Sequence, residues 1–190
     1  MPTEEANLAR DPARGERLIL VDGLDRITGT ATKAEAHRQG LLHRAFSVVL
    51  VRGEPAAPAF LLSQRAPGKY HSGGLWANAC CSHPREGETL PAAAARRVRE
   101  ELGCEAPPLR EIGAFVYRAE FPDGLTEFEY DHVLLGSFDG PLTPDPAEIA
   151  ATRWVGAEAL AAELAEHPGH FAAWAFPVLS LALRAVCGEA

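Results

Sequence analysis

Residues 76–103 read WANACCSHPREGETLPAAAARRVREELG, and this stretch decides what the chain can be. Its first part, 76–83, contains neither glycine nor proline and reads as one extended segment. Strand side chains alternate faces, so Cys81 and His83 share a face and Cys80 points the other way. The second part, 88–102, reads as a helix, with Thr89 as its N-cap, Pro91 in its first turn and Gly103 as its stop. Ala94, Val98 and Leu102 recur every four residues as a buried stripe, and Arg97 and Glu101 form a neighbouring one. A thiol, an imidazole, a guanidinium and several carboxylates thus arrive on one strand, one loop and one helix. Packing alone does not call for that mixture.

Working outward, the 190 residues suit one domain, expected over 17–190 behind a flexible tail at 1–16. A formal charge of −8 argues against nucleic acid as a partner and requires a local basic patch for any anionic substrate. There is no signal-like start and no apolar run long enough to span a bilayer. Of the four cysteines, Cys80 and Cys81 are adjacent and do not easily bridge, so reduced thiols in a cytoplasm are expected. The alanine- and arginine-rich composition suggests a bacterial chain.

Short strands are expected at 17–21 and 26–32, joined by the turn at Asp22-Gly23, and a helix at 33–39 closed by Gly40. The valine-rich run 45–51 predicts a buried strand, paired as a hairpin with 59–64. Two long strands, 109–120 and 125–137, flank the turn Pro122-Asp123-Gly124. A last strand at 148–155 and helices at 157–166 and 171–186 complete the chain. Interleaved strands and helices without regular alternation predict an α+β fold, a mixed sheet sandwiched by helices.

The loop 65–74, RAPGKYHSGG, offers Arg65, Lys69 and His71 among glycines, a pattern that can wrap phosphates but equally suits a solvated turn. Glu127, Glu129 and Asp131 share one strand face, which taken alone reads as exposed. His37, His43 and His83, with the Glu127/Glu129 face, could form an N/O site for a divalent transition metal. His132, His167 and His170 read as structural. Cys81, sharing a face with His83 and followed by a turn into the helix N-terminus, is in a setting that favours thiolate character. Trp174, in AAWAFP, is expected inside the last apolar helix, its ring available to a cation.

The segment 82–104 resembles a degenerate Nudix box, G-x5-E-x7-R-E-U-x-E-E-x-G-U. Ser82 stands at the first glycine, and Glu88, Arg96, Val98, Glu100, Glu101, Gly103 and Cys104 follow in register. Arg97 replaces the glutamate of the R-E pair, which speaks against ordinary diphosphate hydrolysis, the alternative reading. With LLHRAFSV, WANACCSHP, FVYRAEFPDG, TEFEYDH and WAF, the chain resembles type I isopentenyl-diphosphate isomerases from about Leu18 to about Pro177. The resemblance implies a Nudix-like fold and an isomerase that moves a double bond, converting isopentenyl diphosphate to dimethylallyl diphosphate through a tertiary carbocation.

It further implies catalytic roles for Cys81 and Glu129, with Tyr117 hydrogen-bonded to the glutamate and Trp174 stacked over the hydrocarbon. It implies His37, His43, His83, Glu127 and Glu129 as ligands of a buried Mn, Zn or Mg ion. Glu101 and the main-chain carbonyl of Cys81 would hold a Mg ion that bridges to the diphosphate. Lys33, Arg65, Lys69, Ser82 and Arg97 would bind the substrate. Cys81 and Glu129 are expected to face each other across a narrow apolar slot. The partner is a small diphosphate, with no nucleic acid or membrane, and the protein is expected as a monomer or homodimer.

Overall fold

The computed structural model describes residues 15–69 and 71–188. Apart from Gly15 and Glu16, the expected tail lies outside the described residues. Glu16 itself is tied down: its carbonyl accepts from the Lys33 amide at 2.8 Å and its carboxylate pairs with Arg85.

The organising strand is β3 (His43–Arg52). Its side chains alternate, and the alternation divides the molecule. Phe46, Val48 and Leu50 point to one face and pack against Ala93, Ala94, Val98 and Leu102 of the helix α2 (Leu90–Leu102). Val49 and Val51 point to the other, against α3 (Ala157–Glu166) and α4 (Ala175–Cys187). With both faces covered, an apolar run without a polar side is what this strand requires. The result is the expected helix–sheet–helix sandwich.

Around β3 the sheet is mixed. β1 (Arg17–Val21) and β2 (Ile27–Thr32) form the expected hairpin, and Leu20 meets His43. α1 (Lys33–Gln39) follows, capped by Thr32 and closed by Gly40 in the left-handed region. β8 (Thr126–Ser137) runs parallel to β3 from His43↔Glu129 to Val51↔Ser137 and antiparallel to β7 (Arg110–Glu120). β4 (Ala59–Arg65) touches β3 only at Val51↔Phe60 and Arg52↔Ala59, so the expected hairpin exists only at its base. β4 then turns away to pair with β9 (Ile149–Gly156).

Two expectations are corrected. The segment 76–83 is not continuous: β5 (Trp76–Ala77) pairs with β4, β6 (Cys80–Ser82) pairs with β3, and Asn78 and Ala79 bend between them. The bend lets one short segment serve two strands that have already diverged. The last helix starts at Ala175 rather than 171. Phe171 bridges to Trp76, the Ala172 amide donates to the Trp76 carbonyl at 2.9 Å, and Pro177 must sit in a first turn because it has no amide. Trp174 is therefore the residue before the helix.

α2 forms as read: Thr89 Oγ1 accepts from the Ala92 amide, Pro91 occupies the first turn and Gly103 ends it at φ +64. A Cβ at Gly103 would collide with the Thr143 carbonyl, so this position demands glycine twice over.

Candidate active site

Three strands deliver the chemistry to one place. β3 presents His43, Ala45 and Ser47 on its odd face, with His43 beside Glu129 of β8 and Ser47 beside Cys81 of β6. The site therefore straddles β3, with the thiol on one flank and the carboxylates on the other. Glu127, Glu129 and Asp131 are all buried, contrary to the exposed face expected from their alternation alone. That face is turned into the protein, and the carboxylates find partners there instead of water.

His37 from α1, His43, His83 and Glu129 bring one ligand atom each to within 4.8 Å of one another. His83 Nε2 lies 2.9 Å and His43 Nε2 3.4 Å from Glu129 Oε1. His43 Nδ1 lies 2.8 Å from the Leu41 carbonyl, which can only accept, so that nitrogen carries the proton. Nε2 is then the nitrogen turned toward the Glu129 carboxylate, where His37 and His83 also bring theirs. Burial pushes the pKa of His37 and His83 below the usual imidazole value. Burial acts to raise that of Glu129, but the hydrogen bonds and charges of His43 and His83 outweigh it and hold it well below the usual range. Three imidazoles and a carboxylate are donors that a divalent metal takes, and the donor set fits one.

Glu127 lies outside that group of four. Its Oε1 is 2.7 Å from His71 Nε2, and its Oε2 is 3.1 Å from the Tyr117 hydroxyl. Tyr117, opposite Glu129 in the β7–β8 ladder, donates to Glu129 Oε2 at 2.6 Å. Burial and the three carboxylates Glu127, Glu129 and Asp131 push its phenol well up.

Cys81 is not the thiolate that the sequence suggested. Burial and then Asp131 push its pKa far up. The thiol donates to Asn78 Oδ1 at 3.2 Å, and Ser47 Oγ lies 3.4 Å from the sulfur. The same Ser47 hydroxyl donates to Asp131 Oδ2 at 2.8 Å. Asn78 spends its amide hydrogens on the Val48 and Cys80 carbonyls, each at 3.0 Å, which aims its oxygen at the sulfur.

Cys81 and Glu129 line one cavity of about 120 Å³. Tyr117, Glu127, His83 and Trp174 line it too, as do Lys33, Arg65, Lys69, Ser82, Arg97 and Glu101. Its walls are thus far more polar than the apolar slot expected. The basic residues are not bare: Lys69 pairs with Glu148 at 2.6 Å, and Arg97 pairs with Glu101 and lies 3.8 Å from Glu148. Burial raises the pKa of Glu101, reinforced by Glu148 and opposed by Arg97. The Arg65 guanidinium sits 5.1 Å from the Trp174 ring centroid. In the helix-side motif, Arg96 holds Glu88 by two bonds, 2.8 and 2.9 Å, and reaches the His83 carbonyl at 3.4 Å.

The NUDIX domain model matches residues 41–175. The isopentenyl-diphosphate Delta-isomerase of Burkholderia multivorans is 50% identical over 84% of this chain and 88% of its own length. The chain belongs to the isopentenyl-diphosphate Delta-isomerase family. Family members from Nocardia farcinica, at 48% over 86% of this chain and 92% of theirs, and Photobacterium profundum, at 44% over 92% and 98%, agree. The same fold is seen in a solved structure from Deinococcus radiodurans, TM-score 0.67 at 24% identity over 87% of this chain and 98% of that one. Within this isomerase-family chain, several residues of the site escaped the sequence reading, Ser47 and Asn78 beside the thiol among them. Glu148, read as the first residue of the last strand, sits in the turn just before it. His71 was seen only as part of a basic loop, and no periodicity marks a loop histidine as buried.

Proposed function

We propose that this isomerase-family chain interconverts isopentenyl diphosphate and dimethylallyl diphosphate, with Cys81 and Glu129 as its proton-transfer groups. The observation that carries the reading is a thiol and a tyrosine-held carboxylate lining one cavity from opposite flanks of β3. Moving the double bond requires one proton to enter the chain of carbons and another to leave, and two groups from separate strands can reach both ends. The Cys81 S–H, aimed by Asn78 and Ser47, holds one proton. Glu129, with Tyr117 on its Oε2, handles the other. The Trp174 ring lowers the energy of the tertiary cation by about 2 kcal/mol when water is excluded. Replacement of the box glutamate by Arg97 removes a carboxylate that a hydrolase would need.

His37, His43, His83 and Glu129 would hold Mn, Zn or Mg, with Glu127 as a further ligand. A bound ion there supplies fixed positive charge beside Glu129. Glu101 and the Cys81 carbonyl would hold Mg against the diphosphate. Lys33, Arg65, Lys69, Ser82 and Arg97 would bind that group, with Lys69 and Arg97 exchanging their carboxylate partners for it. Such binding, remote from the reacting carbons, orients them. Residues 17–190 act as one domain in this reading. Four free cysteines support a reducing, cytoplasmic setting, and the protein works as a monomer or homodimer. Among the described residues no helix is long and apolar enough to cross a membrane.

The test is product analysis with isopentenyl diphosphate and Mg. The parent forms dimethylallyl diphosphate, while Cys81→Ala and Glu129→Gln do not. Full turnover by Cys81→Ala, or phosphate release without isomerised product, would overturn the proposal.

A further inference from the structure

The loop between β4 and β5 sends Lys69 into the cavity wall but His71 elsewhere. The His71 ring is buried, stacked on Phe121 at 4.4 Å and 19°, and set edge-on to Trp174 at 6.0 Å and 85°. Its Nε2 is 2.7 Å from Glu127 Oε1 and its Nδ1 is 3.1 Å from Ser72 Oγ. The approach of Nε2 to the carboxylate is an ion-pair contact between two buried side chains. The loop is shaped for this placement. Ser72 adopts φ +53, unusual for a residue with a side chain, and a Cβ on Gly73 would lie 2.7 Å from the Pro67 carbonyl oxygen.

We propose that His71 is a positioning residue for the carboxylates of the metal side. It holds Glu127 by Oε1, so that Oε2 stays turned to Tyr117, and it ties the loop that carries Lys69 to that carboxylate. The consequence runs through a single proton. Tyr117 has one hydroxyl hydrogen and two carboxylates within reach, Glu129 at 2.6 Å and Glu127 at 3.1 Å. While His71 satisfies Glu127, Tyr117 is left to Glu129. Without that donor, Glu127 becomes a buried carboxylate short of a partner and competes for the tyrosine. Glu129 then loses the contact that fixes it. A group that orients a ligating carboxylate typically changes metal affinity or activity by roughly 10–100-fold when removed.

The kinetic half of this proposal rests on the isomerase reading; the metal half does not. The test uses the full chain with His71→Phe, which keeps a ring for the stack but removes the donor, and His71→Gln, which keeps a donor. His71→Phe should lower kcat for isopentenyl diphosphate by roughly 10–100-fold with KM little changed, and lose bound Mn to a competing chelator at a correspondingly lower chelator concentration. His71→Gln should recover most of both. Parent kcat and parent Mn retention in His71→Phe would overturn the proposal, and so would equal losses in the two variants, which would make the residue merely structural. If the parent itself does not isomerise, the isomerase reading falls, and the Mn measurement still decides the role of His71.

Discussion

Replacing His43 with alanine should abolish the response of the fold to divalent metal. His43 is fully buried, its Nδ1 is committed to Leu41, and its Nε2 faces Glu129. The four ligand atoms come from α1, β3, the segment after β6 and β8, so only the folded chain assembles them. An ion that binds the folded state alone stabilises it by RT ln(1 + [L]/Kd), about 2.7 kcal/mol at a hundredfold excess over Kd. For a chain of this length 1 kcal/mol corresponds to roughly 2–4 °C, so the parent should gain about 5–10 °C between chelator and saturating Mn. His43→Ala loses one donor and also leaves a hole, which lowers stability with or without metal. The quantity to compare is therefore the metal-induced shift, read by calorimetry with and without chelator, rather than the absolute midpoint. The same shift in His43→Ala and parent, or no shift in the parent with Mn, Zn or Mg, would refute the assignment of this cluster.

Two further outcomes follow from the packing. Gly103→Ala combines a left-handed φ of +64 with a collision at the Thr143 carbonyl, and should cost more than about 1 kcal/mol in urea unfolding; an unchanged midpoint would contradict the close approach. Asp131→Asn should raise thermal stability near pH 7. Burial and then Glu129 raise the folded pKa of Asp131 well above 3.8, so parent stability falls as pH rises through that window. The gain should vanish in acid, where the residue is protonated whether folded or unfolded, and a gain that grows as pH falls would contradict this.

Some of this was legible in the sequence for specific reasons. α2 announced itself because Thr89, Pro91 and Gly103 each act locally, without help from the rest of the chain. β3 was readable because both its faces are buried. The carboxylates of β8 were misread from their alternation: an alternating acidic face normally means water, and only the partners that the tertiary fold brings to it, His43, His83, His71 and Tyr117, make it an interior. The thiol of Cys81 was misjudged because its burial, and next to it Asp131 from a strand fifty residues on, belong to the tertiary fold. The bend at Asn78 and Ala79 and the late start of α4 share a cause: each is imposed by a pairing partner distant in sequence, Trp76 with Phe171 in the second case. The metal cluster itself could be proposed from histidine and glutamate types, but its fourfold convergence belongs to the tertiary fold.

Incubation with isopentenyl diphosphate and Mg in deuterated water, followed by NMR of the products, tests the central claim most directly. Dimethylallyl diphosphate carrying deuterium at carbon is the predicted result, since a proton from Cys81 or Glu129 exchanges with solvent before it reaches the alkene. Free phosphate with no carbon-bound deuterium would contradict it.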